Sequence, residues 1–308
     1  MPNAMYESEL LCWGASSLPA FFCGLLYKKE NPENLHKILP FFIVPLTIII
    51  SYVSFTTDSR TSADRILDEA TGMNYQSIAY YMAQLFGLTI FCIISGKNKK
   101  EIKTNLVLSA LLILQFITCV FSGGRGGLLL LLLYFIFFVY KKIKSQKVNI
   151  ISILGLILLL MILLFLVFKF NILNTTGFSR LVDTFQQGDS NRAILQTKAL
   201  ESFSESPIWG HGIGSIFFEI GTYSHNILID IMVETGIIGL ISIVLFVIKC
   251  SSILIKKNDY NSLFITIIFI YALTLNTFSG YWLANHLLWF VFGYIISCRG
   301  DLNFSRVN

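Results

Sequence analysis

The side chains most able to do chemistry lie in one stretch of an otherwise apolar chain, NRAILQTKALESFSESPIWGHGIGSIFFEIGTYSHNILIDIMVETGIIGL, residues 191–240. They are Arg192, His211, His225, Asp230 and Glu234. Histidine titrates near neutral pH and suits the removal of a proton from a hydroxyl group. Arginine presents a rigid, permanently charged fork that matches phosphate oxygens. His225 stands where a polar loop enters a hydrophobic helix, beside the loop that bears the arginines. Asn226, Asp230 and Glu234 recur every four residues and so share one helix face. Two carboxylates facing lipid are costly, so they face a cavity or the loop. There they act chemically, or they hold structure together by pairing with Arg125, Arg180 or Arg192.

The elements that must position these groups are membrane helices. The 308 residues are 55% hydrophobic and only 13% charged, where a soluble domain has roughly a quarter of its residues charged. A bilayer core needs about 20 apolar residues per helix. About nine spans follow, near 10–27, 37–55, 78–95, 104–121, 122–140, 149–168, 225–248, 262–278 and 281–298. Runs such as ISILGLILLLMILLFLVF lack the alternation of lipid-facing strands, which excludes a β-barrel. The expected class is all-α: a polytopic transmembrane bundle with one long extracytoplasmic loop containing short helices. It divides as spans 1–6 over residues 1–168, the loop over 169–224, and spans 7–9 with a tail over 225–308.

Lysine clusters at 28–29, 97–103, 141–147 and 249–257 fall on one side of this topology, which the positive-inside rule makes cytoplasmic together with the C-terminus. The N-terminus is then outside. Arg60, Arg65, Arg125, Arg180 and Arg192 are left on the outer side, where they read as surface charges or as a binding face for an anion. The net charge of +5 follows from the lysine loops and calls for no nucleic acid. Cys12, Cys23, Cys92, Cys119, Cys250 and Cys298 contain no CxxC pair and read as small core residues. No metal-ligand spacing, Asp-x-Asp or P-loop is present in the sequence, so no metal or other cofactor is expected.

Within this frame, FSGGRGGLLLLLLY places Arg125 below the outer interface if its helix starts near Ser122. The flanking glycines either admit a bulky anion or permit close helix packing. A short helix is expected around Ala63–Ala70. In the long loop, DSNRAILQTKALESF reads as a helix with Arg192 in its first turn, Ile194, Leu195, Ala199 and Phe203 on one face, and Pro207 beyond its end. Trp209, Phe217, Phe218, Phe178 and Phe185 are expected to pack that loop back onto the bundle. GHGIGS reads as a tight turn with exposed N–H groups, His211 being a loop residue or a second-tier candidate. Ser224 or Asn226 caps the next helix. Tyr281, Trp282, Trp289 and Tyr294 read as interface anchors, and His286 as a packed histidine.

SGGRGG at a helix start, NRA in a long outer loop, GHGIGS, then SHN and ETGIIGL entering a helix, together resemble the O-antigen ligase/polymerase superfamily, which includes Wzy-type polymerases. The resemblance implies a GT-C-like, metal-independent, inverting glycosyltransferase acting on undecaprenyl-diphosphate-linked oligosaccharide at the outer face of a bacterial inner membrane. It implies that Arg125 and Arg192 bind the pyrophosphate and that His225 positions or deprotonates the acceptor hydroxyl. Arg180, Asp230, Glu234 and His211 stand behind them. Polymerisation of capsule or O-antigen repeat units is the expected reaction, with ligation to a lipid A-core or other acceptor as the alternative. A flippase and a chain-length regulator are the expected membrane partners. A lipid-linked glycan or anion transporter using the same arginines is the alternative of another class, although no internal symmetry marks one.

Overall fold

The computed structural model describes residues 2–27, 35–56, 74–95, 102–144, 190–256 and 259–304. Among them every regular element is helical. The helices are α1 (Pro2–Cys12), α2 (Leu18–Tyr27), α3 (Leu35–Thr56), α4 (Tyr75–Ser95), α5 (Ile102–Ser122), α6 (Arg125–Lys144), α7 (Ser190–Glu205), α8 (Ile216–Ile220), α9 (Ile227–Lys256), α10 (Tyr260–Phe278) and α11 (His286–Phe304). Ala4–Tyr27, Leu35–Thr56, Tyr75–Ser95, Ile227–Lys256 and Asn261–Phe278 are long and apolar enough to cross a membrane, with shorter apolar helices at Leu106–Ser122 and His286–Cys298. The chain is a multi-pass helical membrane protein. The span expected at 149–168, the short helix expected around Ala63–Ala70, and Arg60, Arg65, Arg180, Phe178 and Phe185 lie outside the described residues.

The chain packs as two units, Met1–Pro32 with Gly188–Asn308, and Glu33–Gln187. In the second unit, α3, α4 and α5 share buried polar contacts. Gln115 Nε2 donates to Thr47 Oγ1 at 2.8 Å and to Thr89 Oγ1 at 3.0 Å, and the Ser51 and Thr118 hydroxyls meet at 2.9 Å. Side-chain hydrogen bonds of this kind link helices where apolar burial gives little net drive. The helix carrying Arg125 starts at Arg125 itself, not near Ser122, because Gly123 turns the chain at φ 72°. The glycines around it serve close packing. A Cβ on Gly126 would meet the Tyr80 hydroxyl at 1.8 Å, and one on Gly127 the Ala79 backbone at 2.6 Å. Gly127→Val is therefore expected to destabilise the protein by about 1–3 kcal/mol, since backbone cannot step aside. A lowered melting temperature in detergent is the readout.

In the first unit a turn of π-helix at Trp13–Ser17 joins α1 to α2. Pro19 has no N–H to donate one turn back, and the wider turn absorbs that loss. Below it, α2 and α11 touch backbone to backbone: a Cβ on Gly24 would lie 2.0 Å from the Phe290 carbonyl oxygen, and one on Gly293 2.0 Å from that of Phe21. Cys92, Cys119, Cys250 and Cys298 are buried, as small core residues should be, but Cys12 and Cys23 are exposed. The expected anchors Tyr281 and Tyr294 are buried inside the unit, while His286, expected to be packed, is exposed at the start of α11.

Candidate functional site

The site is built on α9, which is one element by length but is broken at Gly236, where φ is 65° and ψ −168°. A break leaves carbonyls above it and N–H groups below it without their helical partners. Here the preceding turn supplies them. The N–H of His211 donates to the Val233 carbonyl at 2.8 Å, that of Gly212 to the Glu234 carbonyl at 2.9 Å, and the Ile237 N–H donates to the Pro207 carbonyl at 2.9 Å. Gly210, Gly212 and Gly214 all have positive φ, which lets the turn lie flat against the helix. The N–H groups of His211 and Gly212 are thus occupied, which corrects the expectation that GHGIGS exposes them. The His211 side chain hydrogen-bonds the Ser202 carbonyl through Nε2 at 2.8 Å, fastening α7 to the turn.

Glu234 is the second fastening. Its buried carboxylate accepts the Tyr281 hydroxyl at 2.6 Å and Trp282 Nε1 at 3.1 Å, and also the Gly214 N–H. These donors, not an arginine, compensate its charge, so Tyr281 and Trp282 hold a carboxylate where interface anchoring had been expected. Trp289 likewise turns inward, its Nε1 donating to the Leu283 carbonyl at 3.0 Å. Glu234→Ala leaves three donors without an acceptor, at about 1–3 kcal/mol for each one that stays dry. The variant is expected to melt earlier in detergent than Glu234→Gln, which keeps a carbonyl acceptor.

At the head of α9, Asn226 caps the helix through the Leu228 N–H at 3.0 Å. Asp230, one turn in and fully buried, reaches back to Ser224. One carboxylate oxygen takes both the Ser224 N–H at 2.8 Å and its hydroxyl at 2.6 Å. That grip fixes the residues on either side of Ser224. His225 is held at φ 59°, the one described non-glycine residue with positive φ. Sparsely populated backbone angles persist where surrounding contacts over-determine them, and they gather at functional sites. The His225 ring lies edge-on to Tyr223, with centroids 4.5 Å apart.

Tyr223 donates to the Ser279 carbonyl at 3.1 Å, and Arg192 Nη1 donates to the carbonyl of Phe278, the neighbouring residue, at 2.9 Å. Arg192 stands in the first turn of α7, as the sequence indicates. The end of α10 therefore gathers the guanidinium and the phenol, and the phenol carries the imidazole. Burial, then Glu9 and Asp230, raise the Tyr223 pKa, with Arg192 opposing them. Burial and then Glu234 raise that of Tyr281. Both phenols thus stay protonated as donors at neutral pH.

Arg192, His225 and Asp230 are brought together, with Glu234 one turn further along α9 and His211 on the turn at its break. Arg125 belongs to the other unit, where it is half-buried at the start of α6. Arg180 lies outside the described residues. Tyr223 is the participant that sequence reading passed over, and its adjacency to SHN is the signal that points to it. Among the described residues no group of three or more His, Cys, Asp or Glu side chains stands together as a metal site.

A multi-pass helical membrane protein with an arginine, a tyrosine and a histidine assembled at the head of a broken helix is the class that fold and site define. Residues 110–244, from α5 into α9, match the family model described as O-antigen ligase, a match that supports the resemblance to the O-antigen ligase/polymerase superfamily. The match includes Arg125, Arg192, His211, His225, Asp230 and Glu234. The family implies glycosyltransferase-like activity of the ligase or polymerase kind. Comparison with curated proteins and with solved structures gives no match.

Proposed function

We propose that the chain is a polysaccharide polymerase that transfers a glycan from undecaprenyl diphosphate to an acceptor sugar hydroxyl, at the outer face of a bacterial inner membrane. The observation that carries this reading is the gathering of Arg192 and Tyr223 on the consecutive carbonyls of Phe278 and Ser279, with His225 against Tyr223. His225 takes the proton of the acceptor hydroxyl as that oxygen bonds to the anomeric carbon. The bond from this carbon to the diphosphate oxygen breaks, its electron pair leaves with the diphosphate, and the anomeric configuration inverts. Arg192 neutralises the leaving group, a fixed guanidinium charge doing there what a metal ion does elsewhere, and the family resemblance assigns pyrophosphate binding to Arg125 as well. The donor lipid is the substrate, and a flippase and a chain-length regulator are the natural partners in the same membrane. The N-terminus is outside and the C-terminus cytoplasmic. Ligation to a surface acceptor is the second reading, favoured by the description of the matching family.

The test is the surface-polysaccharide length profile of a deletion strain carrying wild type, Arg125→Ala or Arg192→Ala, with expression checked. Long chains with wild type, and single repeat units on the lipid carrier with either variant, are expected. In a strain lacking the gene, long chains that accumulate on undecaprenyl diphosphate identify a ligase instead. Variants that behave as wild type exclude the proposed anion site.

A further inference from the structure

The turn that repairs the break in α9 points apolar side chains outward. Trp209 is 74% exposed, Ile208 54% and Ile213 59%, although their backbone is fastened to α9 on both sides of Gly236. Trp209 does not pack back onto the bundle as the sequence leads one to expect. A flexible loop could fold such residues away, but this turn is pinned: a Cβ on Gly236 would lie 2.2 Å from the Ile208 carbonyl oxygen. A fixed, exposed apolar patch marks an interaction surface.

Its place along α9 identifies the partner. The whole helix has 30 residues, about 45 Å at 1.5 Å per residue and longer than a bilayer core of about 30 Å. Its carboxylates, Asp230 and Glu234, lie before the break. The part after it, Ile237–Lys256, is about 30 Å long and shows exposed Ile237, Ile238 and Ile241 directly beyond the break. The turn is fastened to the first residue of that stretch, the Ile237 N–H donating to the Pro207 carbonyl, so its apolar patch stands where the span ends, the depth that tryptophan favours. We propose that Ile208, Trp209 and Ile213 enter the lipid head-group boundary on the side of the α9 N-terminus, as a rigid anchor that sets the height of the His225 site. Ile227 then stands about 13 Å above the break along the helix, which holds the site clear of the hydrocarbon and within reach of lipid phosphate. This inference rests on α9 crossing a membrane and not on the proposed transfer reaction.

The experiment places a nitroxide label at Trp209→Cys or, separately, Ile213→Cys of the full chain in phosphatidylcholine–phosphatidylglycerol vesicles. Cys12→Ser and Cys23→Ser remove the two exposed thiols. Collision with oxygen, enriched in lipid, is compared with collision with a water-soluble nickel chelate. Leu245→Cys, on the exposed apolar part of the span, and Glu205→Cys, at the exposed end of α7, are the lipid and water references. The expected result is an oxygen-to-nickel ratio at both turn positions well above that at Glu205→Cys and below that at Leu245→Cys. A ratio equal to that at Glu205→Cys overturns the proposal, because the turn then lies in water. Protection from both reagents also overturns it, because protein then covers the patch. The two positions report independently, so failure of one variant to fold leaves the other to decide.

Discussion

Gly236→Ala is expected to cause the largest loss of folded protein of any single methyl addition in the first unit. At φ 65° and ψ −168° the residue occupies a region that is essentially restricted to glycine, at a cost of about 1–3 kcal/mol for other residues. The added carbon would also lie 2.2 Å from the Ile208 carbonyl oxygen and 2.4 Å from its carbon. Both are backbone atoms, so overpacking adds about 1–3 kcal/mol. Relief by straightening α9 through position 236 is closed off as well. It would displace the His211 and Gly212 N–H groups from the carbonyls they satisfy, and the Ile237 N–H from the Pro207 carbonyl, and so undo the fastening of the turn. The variant should therefore show reduced yield and a lowered melting temperature in detergent, with glycan transfer lost alongside. Gly221→Ala is the comparison, since its φ is also positive, at 82°, but it lies in the left-handed helical region and a Cβ there meets nothing within 4 Å. Equal melting temperatures for the two variants would show that neither the glycine-only backbone angles at position 236 nor the packing against Ile208 carries weight.

The break at Gly236 also marks the limit of what the sequence discloses. Helical class, the start of α7 near Asp189–Ser190 and the cap at Asn226 are local facts, written in hydropathy and in cap residues beside the helices they begin. ETGIIGL, read locally, is a helix continuing into an apolar span. What breaks it lies in residues 207–212, far back in the chain, where Pro207, His211 and Gly212 supply the hydrogen bonds that make the break affordable. The partners of Glu234 are likewise remote, Tyr281 and Trp282 standing 47 and 48 positions away. Aromatic residues near a span end read as interface anchors by type, and only the fold shows that these two face a buried carboxylate. Trp209 is the reverse case: its place in a long loop suggests packing, and the fold turns it outward. The chemistry of the site was more legible than its support. Arg192 and His225 stand out by type in an apolar chain, while Phe278, which accepts from Arg192, and Tyr223 and Ser279, which support His225, are ordinary residues until the end of α10 meets the head of α9.

His225→Gly separates the chemistry of that residue from its strain. A non-glycine residue in the left-handed region costs about 1–2 kcal/mol, and at φ 59° glycine removes the cost. The same substitution deletes an edge-on contact with Tyr223 at 4.5 Å between ring centroids, worth about 0.5–1.5 kcal/mol for an aromatic pair. The two effects oppose each other at similar size, so the melting temperature should scarcely move. Glycan transfer should nonetheless fall by about 10²–10⁴-fold, the contribution of a positioned general base. His225→Ala removes the same base but keeps the strained backbone, so it should match the glycine variant in activity and melt below it. Transfer by purified protein from a lipid-diphosphate glycan, measured beside thermal unfolding, gives both quantities from one preparation. If His225→Gly is stable and active, the imidazole is not the base, and the strain at position 225 serves only the fold. If it is stable and inactive, the unusual backbone angle is what the chain tolerates to aim that imidazole, and Asp230, through Ser224, is the residue that holds it there.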